Sequence, residues 1–256
     1  MNQAISTKSI SSNAQPVGAV ESSTRRALMD SRMRYSRLIG ALFLAGFLSY
    51  GVGFALVTSV TGAPDFLSTI SAHKNLQTIL TIGAFLMLLN SLVDVGKGVL
   101  FFPILENYGK RTALTYLATM IVEVVLLAIG VLALLMLVPI AQQGVDAGQA
   151  GVGWANALGA LAVQANTMAY QLAEMVLGLG AIFLCALLFR TRLIPRFLAG
   201  WGLVGYAILA AGAIAEIFGI HIGLLLSIPG GLFEVVLGFW LIIKGFRPES
   251  LDKLAA

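Results

Sequence analysis

Three residues in one apolar run have the types and spacing to do chemistry. Asn90, Asp94 and Lys97 follow at i, i+4 and i+7, so they share one helix face. Asp94 and Lys97 can pair with each other, or Lys97 can reach Glu123 in the next apolar run. Thr167, Gln171 and Glu174 repeat the same spacing further along, with Tyr170 beside them. Glu216 and Glu234 sit in the last two apolar runs. A charge at the centre of a bilayer costs at least ~2.5–3.5 kcal/mol, so such groups turn toward the bundle interior or toward water. Two chemistries fit. One is a polar clasp that fixes helix register, each contact worth only ~0.6–2 kcal/mol. The other is a wet cavity or proton relay. Three outer acids, Glu174, Glu216 and Glu234, cannot all be ionised in a dry bundle without a cation or water.

Other chemistries lack their residues. Cys185 is the single cysteine, so neither an intrachain disulfide nor a cysteine-based metal site can form. His73 and His221 are the two histidines, and neither they nor Asp65 and Glu216 show ligand spacing for zinc. The chain contains no H-E-x-x-H, G-x-S-x-G or G-x-x-x-x-G-K-[ST] motif. No catalytic pair and no cofactor are expected.

The elements that must carry these residues are membrane helices. The chain has 256 residues, 58% hydrophobic and 11% charged, with mean hydropathy +0.91. Soluble domains carry about 25% charged residues. Six apolar segments, 38–60, 76–103, 113–140, 167–189, 198–219 and 223–245, are each near the ~20 residues needed to span. Backbone amides must be satisfied internally in lipid, so each segment is a helix. The expected fold is an all-α, polytopic bundle of six transmembrane helices over 37–247. A polar, basic, largely disordered cytoplasmic tail is expected over 1–36, with "TRRALMDSRMRYSR" as a possible surface helix. A short cytoplasmic tail follows at 248–256.

Charge placement orients the bundle. Lys8, Arg25, Arg26, Arg32, Arg34, Arg37, Lys110, Arg111, Arg190, Arg192, Arg196, Lys244, Arg247 and Lys253 fall on one side, and Lys74 on the other. Basic residues in short loops stay cytoplasmic, so both termini are expected inside, in the inner (plasma) membrane. The net charge of +4 is thereby a topology signal, and nucleic acid is not an expected partner. Tyr35, Tyr108, Tyr116, Trp201 and Trp240 gather near the same interface. On the opposite side, residues 141–165 form a long Gly- and Ala-rich loop, with a short helix expected from Trp154 onward. Pro229, Gly230 and Gly231 suggest that the sixth helix starts near Pro229; a single kinked helix is the alternative. Small residues at Gly40, Gly46, Gly51 and Gly53, at Gly178 and Gly180, and at Ala207, Ala211, Ala215 and Gly219 suit close helix approach. Core packing is the expected use, and a homo-oligomer or membrane-partner face the alternative.

The stretches "LLFRTRLIPRFLAGWGLVGY" (187–206) and "PGGLFEVVLGFWLIIKGF" (229–246) resemble a bacterial membrane family known as domain of unknown function 4386. "SRLIGALFLAGFLSY", "LVDVGKGVLFFPILENYGKRTAL" and "IVEVVLL" extend the resemblance over roughly 34–247. The resemblance implies six membrane helices and brings no activity, cofactor or catalytic residue. The expected function is therefore a non-catalytic membrane subunit or regulatory factor with a polar intrabundle cluster, in contact with the lipid bilayer. The alternative is a small-solute or proton-coupled transporter that uses the buried carboxylates.

Overall fold

Apolar length and the places where it is interrupted decide the architecture. The computed structural model describes the backbone of residues 17–247 and the side chains of 33–247 apart from Gln149 and Ala150. The described chain is helical throughout: α1 (Val17–Thr61), α2 (Phe66–Ala72), α3 (Lys74–Leu135), α4 (Leu137–Asp146), α5 (Gln149–Thr191), α6 (Arg196–Ile217) and α7 (Gly223–Ile243). Five helical stretches are long and apolar enough to cross a membrane. One of them is two rods. Gly109 has φ −177° and ψ 83° inside α3, and the chain reverses there. The site of a Cβ on Gly98 lies 3.1 Å from atoms of Leu117 and Met120, and the Phe101 and Tyr116 rings meet at 5.5 Å. In a continuous helix these residues would be about 20–30 Å apart. Counted with both arms of α3, six long apolar rods make the bundle.

Outward and inward faces are inverted relative to a soluble protein. Leu92 is 72% exposed, while Asp94, two residues on, is 2% exposed. Apolar side chains face the surroundings and the ionisable ones face the interior, as lipid solvent requires. This makes the chain a membrane protein. Lipid offers no hydrophobic drive between helices, so close packing must hold them. Glycine supplies it at the tightest crossings. A Cβ on Gly40 would meet the Gly238 carbonyl at 2.5 Å, and one on Gly53 would meet the Gly83 carbonyl at 2.6 Å. Gly51, on the same helix, has nothing within 4 Å. Gly53→Ala is therefore expected to destabilise by about 1–3 kcal/mol through overpacking against backbone. Gly51→Ala should be neutral or slightly stabilising, because it removes a helix-interior glycine. Unfolding in mixed micelles checks the pair; equal effects would contradict the close crossing.

Several expectations are corrected. The stretch "TRRALMDSRMRYSR" is helical, but as part of α1, which runs from Val17 into the first span instead of forming a separate surface helix; residues 19–39 contain neither Gly nor Pro, and Arg, Ala, Leu and Met favour helix. Residues 1–16 and all of 248–256 lie outside the described residues. The 141–165 loop is instead a helical hairpin of α4 and the start of α5, turning at Gly148 with φ 61°. That left-handed conformation suits glycine. Gly144, Gly151 and Ala155 let the two arms touch. At 43 residues, α5 is about 65 Å long, more than twice a ~30 Å hydrocarbon core. Its first turns pack with α2 and α4 into a cap around Leu67, Ile70, Leu134, Leu137 and Ala141. Pro229 lies inside α7, so the single-helix alternative holds. There α6 approaches so closely that a Cβ on Gly205 would lie 3.1 Å from the Pro229 carbonyl and 3.3 Å from Gly230. Trp201 Nε1 donates to that same carbonyl at 3.1 Å. The Ala207, Ala211 and Gly219 stripe faces outward; α6 packs instead through Gly202, Gly205, Leu209 and Ala213. Tyr116, expected at the interface, is a core residue at 1% exposure, because the α3 hairpin wraps it against Phe101.

Candidate functional site

Depth along the rods determines which polar residues can meet. Measured from the Gly109 turn at 1.5 Å per residue, Lys97, Asp94 and Glu123 lie about 18, 22 and 21 Å deep. From the same end of the molecule, Glu234 lies about 14 Å inside α7 and Glu174 about 26 Å inside α5. That these helix ends share one end is shown by contacts among them. Arg37 Nε donates to the Ile242 carbonyl at 3.3 Å, Arg247 N donates to the Leu193 carbonyl at 2.8 Å, and Phe246 meets Phe101. The basic residues Arg34, Arg37, Lys110, Arg111, Arg190, Arg192, Arg196, Lys244 and Arg247 consequently crowd that end. Lys74, His73 and His221 belong to the other.

At mid-depth the rods enclose a cavity of about 190 Å³. Its wall holds Asn90, Asp94, Lys97, Glu123, Glu174 and Glu234, together with Tyr50, Tyr170 and Tyr206. Six of the eight residues singled out in the sequence thus converge on one space. Asn90 Nδ2 donates to Asp94 Oδ2 at 2.6 Å, and Lys97 Nζ contacts Asp94 Oδ1 at 2.7 Å. The second acid near Lys97 is Glu234, at 3.8 Å, rather than Glu123. Tyr206 Oη donates to Glu234 Oε1 at 2.7 Å. The ammonium also lies 4.7 Å from the Phe43 ring centroid, an arrangement in which the ring quadrupole attracts the cation. Asp94 and Lys97 are both at least 95% buried, which makes their contact a buried ion pair rather than a surface one.

Glu123 is different. It is 5% exposed, it lines the cavity, and its Oε2 has no hydrogen-bond partner. Buried polar atoms are nearly always satisfied, so an orphan carboxylate oxygen asks for an explanation. Around the wall, four carboxyl groups face one ammonium. Full ionisation would leave three uncompensated negative charges inside a low-dielectric bundle. Such charge requires protons on the carboxyls, water, or a cationic occupant. Among the described residues, no three His, Cys, Asp or Glu side chains are grouped closely enough to hold a metal ion.

The remaining two candidates go elsewhere. Glu216 closes the α6–α7 turn, with Oε2 accepting from Gly223 N at 2.9 Å and Oε1 lying 2.8 Å from His221 Nδ1. Gln171 is buried against the same turn, where a Cβ on Gly223 would sit 3.0 Å from its Oε1. They shape a turn rather than the cavity. Sequence reasoning missed Tyr50 and Tyr206. A signal existed for Tyr206: an antiparallel α6–α7 hairpin turning at residue 220 places 206 opposite 234. For Tyr50 the sequence offers no comparable cue, since its ring reaches the cavity by stacking on Tyr170 at 5.5 Å.

A family model described as a domain of unknown function, DUF4386, matches residues 38–245. No curated protein and no solved structure matches the chain.

Proposed function

Because the chain belongs to the DUF4386 family, a domain of unknown function, we propose a function from the cavity alone: a membrane carrier for a small cationic solute that exchanges with protons held on the cavity carboxyls. The carrying observation is that Asp94, Lys97, Glu123, Glu174 and Glu234, from α5, α7 and both arms of α3, line one space at mid-depth. A helix clasp needs one pair; it does not need four acids and an unpartnered Glu123 oxygen. This reverses the order favoured from sequence, where a regulatory subunit came first. Exchange is electrically sensible, since a cation entering the cavity replaces protons leaving Glu123 or Glu174 and the bundle never holds bare charge. The topology in this proposal has six crossings, with both termini and the basic end in the cytoplasm of a cell whose inner membrane holds the protein.

The test is solute-evoked pH change in vesicles that contain the purified protein and an internal pH-sensitive dye. A panel of amines, inorganic cations, carboxylates and neutral solutes is added outside. At least one cationic solute is expected to evoke a pH change that Glu123→Gln and Glu234→Gln reduce by about tenfold or more, in line with charged groups that mark transport pathways. Silence toward every solute class, or full activity in Glu123→Gln, would overturn the proposal.

A further inference from the structure

The wall of the cavity carries more than charge. Tyr50 on α1 and Tyr170 on α5 stack with centroids 5.5 Å apart and an interplanar angle of 22°. Glu174 follows Tyr170 by one turn, so the stacked rings and this carboxyl share one side of the space. Tyr206 and Glu234 are hydrogen-bonded on another side. Aromatic faces beside carboxylates form the environment that attracts an ammonium by ring quadrupole and by charge together. An inorganic ion would instead call for oxygen ligands gathered at one point, and among the described residues no three His, Cys, Asp or Glu side chains are so gathered.

The cavity also has an opening of a particular kind. Helices α1 and α7 touch backbone to backbone at Gly40 and Gly238. Farther along they bound the cavity with Phe47 and Gly51 on one side and Ser227 and Gly231 on the other. Phe47 is 52% exposed and its ring edge stands 3.7 Å from the Cβ position of Gly231. Gly51 is exposed with nothing beside it. The gap between these two helices is thus where the cavity reaches the surface of the bundle.

We infer that the occupant is a small organic ammonium with an apolar body, its cationic head held among Tyr50, Tyr170, Glu174 and Glu123 and its body toward the α1–α7 gap beside Phe47. This deepens the carrier reading and rests on the same cavity. The size agrees: a cavity of about 150 Å³ holds a benzene molecule, so about 190 Å³ accommodates a single ring or short chain with its amine. The unpartnered Oε2 of Glu123 then has a donor to accept from.

The experiment is calorimetric binding to the full-length protein in detergent micelles, with benzylammonium, benzyl alcohol, sodium and potassium as the probes. Benzylammonium is expected to bind saturably, and the alcohol and the inorganic cations are expected not to bind or compete at equal concentration. Tyr170→Leu should weaken benzylammonium by about tenfold, the size of a desolvated cation–π contact, while Tyr170→Phe, which keeps the ring face, stays within about twofold. Should Tyr170→Leu not fold, Tyr50→Leu carries the same expectation. Equal binding of the alcohol, competition by sodium, undiminished binding to the leucine variant, or no benzylammonium binding would each overturn the inference. The two levels separate cleanly. Amine binding without vesicle flux leaves the occupant standing and removes the carrier. Flux evoked by inorganic cations, with no amine binding, does the opposite.

Discussion

Lys97→Met is expected to destabilise the protein by about 3–5 kcal/mol, because it leaves Asp94 buried and without its cation. The ion pair is short, 2.7 Å, with both side chains almost wholly inaccessible. Asn90 alone would remain on the carboxylate, and one neutral donor does not replace an ammonium. The double variant Lys97→Met with Asp94→Leu should recover most of the loss, since two matched apolar residues in place of a buried pair are often near neutral. Unfolding in mixed micelles across the four members of this cycle reads the coupling directly. A loss below about 1 kcal/mol in the single variant would show that Asp94 reaches water or carries its own proton, and the clasp at the centre of the site would fall.

Glu123 should behave in the opposite way. Its Oε2 makes no hydrogen bond to the protein, so Glu123→Leu breaks no protein contact and is expected to leave stability unchanged or raise it by about 1 kcal/mol. The same change should abolish solute-evoked pH signals in vesicles. Undiminished stability joined to a loss of activity is the mark of a residue kept for function rather than for folding. If Glu123→Leu instead lost stability as Lys97→Met does, Glu123 would be one more member of the structural clasp. The contrast between these two residues, one paired and one orphaned on the same wall, is the sharpest consequence of the geometry.

Much of this arrangement was legible before any coordinates. The apolar runs gave the rods, since lipid leaves the backbone no other choice. The i, i+4, i+7 spacing of Asn90, Asp94 and Lys97 gave their shared face, and it also gave the Asp94–Lys97 pair. Glu123, the alternative partner for Lys97, is not the acid that reaches it. Glu123 shares Lys97's depth, but helix rotation aims Glu234 at the ammonium instead, and rotation about a helix axis is not encoded in depth. The same blindness put Ala207, Ala211 and Gly219 in the core, where α6 in fact presents Gly202, Gly205 and Ala213. In a helix apolar on every side, periodicity does not mark which face is packed. The cap of α2, α4 and the start of α5 escaped for another reason. Residues 141–165 look loop-like by their glycines, yet Gly144 and Gly151 serve helix contact. Pro229 likewise reads as a helix start by local preference, and tertiary contact with α6 overrides it.

Thiol chemistry tests the central claim most directly, because alkylthiosulfonate reagents react with the thiolate and a thiolate forms only where water reaches it. The native Cys185 is fully buried and provides a silent background. Glu123→Cys and Ser227→Cys on the cavity wall are each to be treated with a small cationic reagent of this kind, alongside Leu92→Cys on the lipid face. The account predicts modification at 123 and 227, slowed at 227 by benzylammonium, and none at 92. Position 123 as unreactive as position 92 would mean a dry interior, and the carboxyls would then be packing rather than a site.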